Sequence, residues 1–331
     1  MEQVARTGKQ LVAATRPFAV EDRAKSWFYV LSTLAIWLTL MTASALTPYW
    51  PAQLVLAVVA GLVTVRVFIL YHDYLHGAIL RNSKVADLIM KTYGLLILTP
   101  SRVWKQTHNY HHAHTAKIVG SHVGSYAMVT TKMWKELTPF QRVMYRITRN
   151  PLTVLFGYLT IFLYGMCTSS FLRNPKKNWD SLLSLAVHFA LLAVLWRVGG
   201  LNMMFFGYML PVAVATAAGA YLFYAQHNFE GVHIQPREEW NYERAALESS
   251  SYMKCGPVMN WFTGNIGYHH VHHLNPTIPF YRLPEAMAAI PELQNPSVTT
   301  LRPRDIAACF RLKLWDPDQQ RMVGYRDAQA A

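Results

Sequence analysis

Trp27 to Leu46 is a run of 20 residues without a formal charge. As a helix it would reach about 30 Å, the thickness of a bilayer's hydrocarbon core. Thr47-Pro48-Tyr49-Trp50-Pro51 makes a short uncharged turn, and Ala52 to Tyr71 is a second run of the same length with one charge, Arg66. Ser181 to Val198 and Met203 to Ala225 form a third and a fourth, joined by Gly199-Gly200-Leu201-Asn202. Lipid offers backbone N–H and C=O groups no partners, so such runs must be helices that bond internally. The expected fold is therefore an all-α integral membrane protein with four transmembrane helices, about 27–46, 52–71, 181–198 and 203–225.

The charges fix the orientation that this fold would take. Only 15% of the residues are charged, against roughly 25% in a soluble domain. The formal net charge is +13, and the basic residues flank the apolar runs. That placement fits anionic lipid headgroups and a positive cytoplasmic face, with no nucleic acid partner. Residues 1–26 read as a cytoplasmic N-terminal tail, 27–300 as the membrane domain, and 301–331 as a charged cytoplasmic C-terminal tail without a motif. Arg81 through Arg149 carry many cations and few acids, so this loop is also placed in the cytoplasm. Its part from Arg102 to Arg149 is a candidate docking face for an acidic redox partner, although positive-inside topology alone is the simpler account. Arg66 lies near the cytoplasmic end of its run and reads as a snorkelling interface anchor. Pro151 to Leu172 is long enough to cross, but a crossing there would put the histidine clusters on opposite sides. It reads instead as an interfacial or re-entrant element. Cys167, Cys255 and Cys309 form no CxxC and suggest neither a disulfide framework nor a thiolate site.

The histidines carry the chemistry. Gly267-Tyr268-His269-His270-Val271-His272-His273 holds four histidines in seven residues. His269, His272 and His273 stand at i, i+3 and i+4, so a helix would gather them on one face. His108, His111 and His112 repeat that spacing, and His72 and His76 stand at i, i+4. His227 follows the fourth apolar run, at the depth where His76 leaves the second. Together these make nine imidazoles at ligand spacing. One metal takes four to six ligands, so nine suit two metals at four or five each, with positions left open. His114 and His270 fall about 100° off the cluster faces and read as hydrogen bonders around the ligands. Asp73, Asn109 and Glu230 are candidate partners that would fix imidazole tautomers. His188, alone within a span, reads as hydrogen-bonded in the bundle, and His122 and His233 as loop residues.

Imidazole ligation alone admits zinc, copper or iron. A two-zinc hydrolase would add a bridging carboxylate. His-Glu-x-x-His is absent, which argues against a zinc peptidase. The paired Glu-x-x-His of soluble di-iron bundles has a single match, Glu230 to His233. A membrane metal carrier would place its ligands within the spans, where only His188 stands.

The order of His72-Asp73-Tyr74-Leu75-His76-Gly77, Trp104 through Thr115, Tyr224 through Glu230 and Gly264 through Leu283, set among four apolar runs, resembles the membrane fatty acid desaturase and hydroxylase superfamily. The acyl-lipid desaturase branch is the nearest, over roughly residues 25–295. The resemblance implies a histidine-rich di-iron cap on the cytoplasmic side. Its iron ligands would be His72, His76, His108, His111, His112, His227, His269, His272 and His273. Asn265 or Asn228 could contact one iron through water. The implied reaction is O2-dependent introduction of a cis double bond into an acyl chain carried by a lipid or thioester. The alternative on the same scaffold is a lipid hydroxylase or ketolase. Electrons would come from a separate ferredoxin or cytochrome b5 type donor, since no fused His-Pro-Gly-Gly haem motif is present.

Overall fold

The computed structural model describes residues 6–118 and 123–327; His122 lies outside them. Three stretches are long and apolar enough to cross a bilayer: Arg23–Leu46 (α1), Trp50–His76 (α2) and the 47 residues Trp179–Ala225. Asp22 caps α1, its carboxylate accepting from Lys25 N at 3.0 Å. Pro51 opens α2, which ends where Gly77 takes a left-handed conformation (φ 70°). Ala78 N then bonds back to Asp73 O at 2.9 Å, a glycine-terminated helix end that satisfies otherwise orphaned carbonyls.

The third stretch is not one straight rod. Gly200 has φ 71° and ψ −170°, outside any helical range. His188 Nδ1 lies 2.9 Å from the Tyr208 hydroxyl, whereas 20 residues of straight helix would hold them about 30 Å apart. The chain therefore folds back at Gly200, and the two expected runs 181–198 and 203–225 become the arms of a hairpin. We label the arms α3 (Trp179–Met204, which includes the turn) and α4 (Leu210–Ala225). At Gly61 of α2 a Cβ would stand 2.6 Å from Val214 Cβ of α4, so glycine there permits the close crossing. Trp37 Nε1 ties α1 to α2 by donating to Thr64 Oγ1 at 2.8 Å. Large apolar side chains such as Phe28, Leu38, Val55, Phe189 and Val194 point outward, as a surface meant for lipid requires.

His188 also lies 2.6 Å from the Tyr158 hydroxyl. Tyr158 belongs to the helical stretch from Pro151 to Arg173, which is partly wound as a π-helix. That stretch starts where Val154 packs on Ala220 and Tyr224 at the end of α4. It finishes beside Asn178, whose Nδ2 donates to Ser170 O at 2.7 Å. Asp180 then accepts from Arg102 N at 3.0 Å, at the start of the helix that carries His108. Both ends of the stretch thus lie on the histidine side of the bundle.

Three expectations change. Arg66 does not snorkel: it is buried, donates to Thr33 Oγ1 at 3.2 Å and to Trp261 O, and lies 4.5 Å from the Trp261 ring. The fold is mostly helical but not all-α. Tyr252–Lys254 (β1) pairs in parallel with Val298–Thr300 (β2), and Leu314–Asp316 (β3) pairs antiparallel with Arg321–Val323 (β4). β1 meets the third histidine segment, where Met253 N donates to Gly267 O at 2.8 Å, whereas Leu314 of β3 and Val323 of β4 pack on Trp134 and Tyr145. The segment Pro303–Val323 is folded into the cap, with Trp315 2% exposed. Within the basic loop, the helix Pro139–Thr148 turns Phe140, Val143, Met144 and Ile147 outward, an apolar stripe at helical spacing that suits the membrane interface.

Candidate metal centre

Each histidine cluster sits on a helix. His72 and His76 occupy the last turns of α2, His108, His111 and His112 the helix Ser101–Ala113, and His269, His272 and His273 the short helix His269–Leu274. His227 follows α4 directly. The structure brings all nine together in two groups. In one, ligand atoms of His72, His76, His108, His112 and His272 lie within 4.8 Å of one another. In the other, those of His111, His227 and His273 do so, and His269 Nε2 joins them at 2.9 Å from His227 Nε2.

The partition cuts across the sequence clusters, and helix geometry explains it. Residues at i and i+4 differ by about 40° around the axis, while i+3 and i+4 differ by about 100°. His108 and His112 therefore point into the first group and His111 into the second. On the facing helix His269 and His273 point into the second group and His272 into the first. Nε2 atoms face one another at 3.1 Å between His72 and His108, His108 and His112, and His112 and His272. His111 and His227 face at 3.0 Å.

Outer partners fix which nitrogen keeps its proton. Asp73 Oδ1 lies 3.1 Å from His72 Nδ1, and a carboxylate only accepts, so the His72 proton sits on Nδ1. His227 Nδ1 donates to Ser249 O at 3.0 Å. Thr115 gives its hydroxyl proton to His111 O and accepts from His273 Nδ1 at 3.2 Å. Each arrangement leaves the opposite Nε2 as a lone pair aimed into its group. The Nε2 atoms of His76 and His273 are buried and have no hydrogen-bond partner among the described residues. Burial first, then neighbouring imidazoles, holds His108, His111, His112, His269, His272 and His273 well below the usual histidine range, and His227 is lowered to about 4. Nine imidazoles, seven of them buried and His76 and His227 half-buried, with converging lone pairs fit metal cations, which would replace the missing partners.

Of the other residues singled out by the sequence, Asp73 bonds a cluster histidine, whereas Asn109 and Glu230 are exposed and, among the described residues, their side chains hydrogen-bond none of the nine. His270 donates to Leu293 O, and His114 stacks on Tyr110 while donating to Tyr110 O. Asn228 is committed elsewhere, to Arg149 and to Cys309 O. Asn265 Nδ2 donates to Phe280 O. Sequence reasoning missed Thr115, the Ser249 carbonyl, and Trp104, whose ring stacks on His108 at 4.2 Å. Thr115 falls one turn past His111, the only local signal. A cavity borders the second group, with His111 and His227 in its wall beside Phe223 and Thr115.

The fatty acid desaturase family profile matches residues 48–304. A fatty acid desaturase of Bacillus subtilis (strain 168) is 29% identical over 330 residues, covering 98% of this chain and 93% of that protein. The omega-3 fatty acid desaturase fat-1 of Caenorhabditis elegans is 23% identical over 286 residues, 83% of this chain and 70% of its own. An sn-2 acyl-lipid omega-3 desaturase (ferredoxin), chloroplastic, of Helianthus annuus is 27% identical over 281 residues, 82% and 62% of the two chains.

Proposed function

Because this chain belongs to the fatty acid desaturase family, we propose that its two histidine groups hold a pair of iron ions that serve acyl-chain desaturation. The protein is a membrane oxidoreductase of lipid metabolism, an acyl desaturase. The observation that carries the metal assignment is the convergence of nine imidazoles, seven of them buried, into a group of five and a group of four. Bound iron supplies the oxygen-dependent redox chemistry needed to take two hydrogens from unactivated carbon, leaving a cis double bond.

The chain's own residues prepare that chemistry. Asp73, Ser249 O and Thr115 hold protons on the outer nitrogens of His72, His227 and His273, keeping the inner nitrogens free to ligate. Trp104 and Phe223 pack on His108 and His111 and exclude water from them. An apolar chain lying against Phe223 and its neighbours would have its position, and so its reacting carbon, chosen by those side chains.

Four membrane crossings, with the hairpin at Gly200 outside and the histidines facing the cytoplasm, agree with the basic flanks. An acyl-lipid is the substrate class we favour. Two electrons per turnover come from a separate ferredoxin or cytochrome b5 type protein, docking on the cationic face that includes exposed Lys132, Lys135 and Arg146. The test is expression in a host whose lipids are saturated, followed by lipid mass spectrometry and metal analysis of the purified protein. A new double bond and two irons per chain are expected. An added oxygen in the product would move the protein to hydroxylation or ketolation, and zinc alone would remove the di-iron reading.

A further inference from the structure

Arg149 ends the helix Pro139–Thr148 and is 1% exposed. A guanidinium so buried is normally matched by a carboxylate, because desolvating an unpaired charge is costly. Among the described residues no Asp or Glu forms an ion pair with it. Its Nη1 donates to Ala127 O at 2.9 Å and its Nη2 to Asn228 Oδ1, both neutral acceptors. Among the described residues its buried Nε has no hydrogen-bond partner. The rings of Tyr145 and Tyr224, with centroids 5.7 Å and 5.2 Å away, provide faces but no countercharge. A second cation stands close by: Lys313 Nζ donates to Arg149 O at 2.6 Å.

Arg149 lines the cavity that His111 and His227 border, and Lys117 lines it too. Among the described residues no acid contributes to that wall, while Phe223, Tyr126 and Met128 give it an apolar side. The cavity thus offers an uncompensated cation, an apolar surface and two imidazoles of the second metal group within one enclosure.

We infer that Arg149, assisted by Lys117, receives the phosphate of the substrate's polar end and so sets how far the acyl chain reaches past the metals. The inference rests on the desaturase reading above. Phosphate is the shared chemistry of two sources, a phospholipid headgroup and the pantetheine arm of a carrier thioester. A guanidinium forks onto phosphate with two parallel donors, and the phosphate supplies the charge that the protein withholds.

The experiment uses the full-length protein in neutral detergent with its electron donor. It is offered a phosphatidylglycerol, a galactolipid with the same acyl chains, and the corresponding coenzyme A thioester. The wild type is expected to convert one of the two phosphate-bearing substrates at least about tenfold faster than the galactolipid, the scale of one charged hydrogen bond. R149Q and the less buried K117Q should each reduce that ratio, R149Q to near one, while R149K keeps part of it. Which substrate is favoured identifies the source of the phosphate. R149Q should also spread the double bond over neighbouring positions, which mere destabilisation would not do. A wild type indifferent to phosphate, or variants that slow all three substrates alike with one unchanged isomer, would overturn the assignment. The second readout is phospholipid retained per chain by delipidated protein, which needs no turnover. If the wild type makes no double bond at all, the desaturase reading falls. The retained lipid then decides on Arg149 alone: less in R149Q upholds it, and no change overturns it.

Discussion

Phe280 N donates to Asp73 Oδ2 at 2.7 Å, although the two residues are 207 positions apart. The other oxygen of the same carboxylate meets His72 Nδ1. Seven residues earlier on α2, Arg66 bonds Trp261 O. These two contacts bracket the segment that carries His269, His272 and His273, so the end of one apolar helix clamps a cluster that arrives two hundred residues later.

Asp73→Asn should break the clamp's electrostatic half. An amide can accept from Phe280 N, but its NH2 then faces His72 Nδ1–H, donor against donor. His72 would escape by moving its proton to Nε2, the nitrogen that faces the first group. Turnover and iron content are expected to fall, with activity down about ten- to a hundredfold while membrane insertion persists. Iron quantification alongside turnover checks this, and normal values for both would dismiss the tautomer argument.

His227→Ala should act on the second group alone. His227 Nε2 lies 3.0 Å from His111 Nε2 and 2.9 Å from His269 Nε2, at the centre of that group. The expected metal content is about one iron per chain in place of two, with activity abolished. Elemental analysis of protein extracted from membranes measures it. Two irons retained would strike His227 from the ligands.

Acid should loosen the metal-free protein and its grip on metal together. His227 and His270 are lowered from 6.5 to about 4 by burial. Below pH 6.5 the unfolded chain takes up protons that the folded chain refuses, so stability falls as pH drops from about 6.5 towards about 4. Protons also compete with metal for the same nitrogens. Thermal unfolding and metal retention compared at pH 7.5 and pH 5 should both be lower at pH 5. A flat profile would show that these imidazoles are not buried in the neutral form.

Gly200→Val should weaken the hairpin without touching the metal groups. Among the described residues no atom lies within 4 Å of where a valine Cβ would stand, so the cost is conformational. The backbone at φ 71° and ψ −170° belongs to a region open essentially to glycine, and strain of about 1–3 kcal/mol is expected. Calorimetry in detergent should record a lower midpoint with unchanged iron content.

Much of this architecture can be read from residue order, because it depends on local periodicity. The i, i+3, i+4 spacing does put the later two clusters on helices, and length with hydropathy marks the apolar runs. The division of the nine imidazoles into five and four is not legible in the same way, since it depends on how two helices face each other across the cap. Arg66 reads as an anchor because burial by Trp261, 195 positions later, leaves no local trace. The strands β1 to β4 are each three residues long, too short for alternation to register. Thr115 and the Ser249 carbonyl matter through single long-range bonds that no spacing announces.

The five-and-four division has a consequence for how the ions would share their work. Five imidazoles around an octahedral ion leave one vacancy, whereas four leave two. The cavity opens against the less crowded set, at His111 and His227. A pair of ions seated in this chain would therefore be unequal from the outset, one largely enclosed by protein and its neighbour turned towards whatever enters.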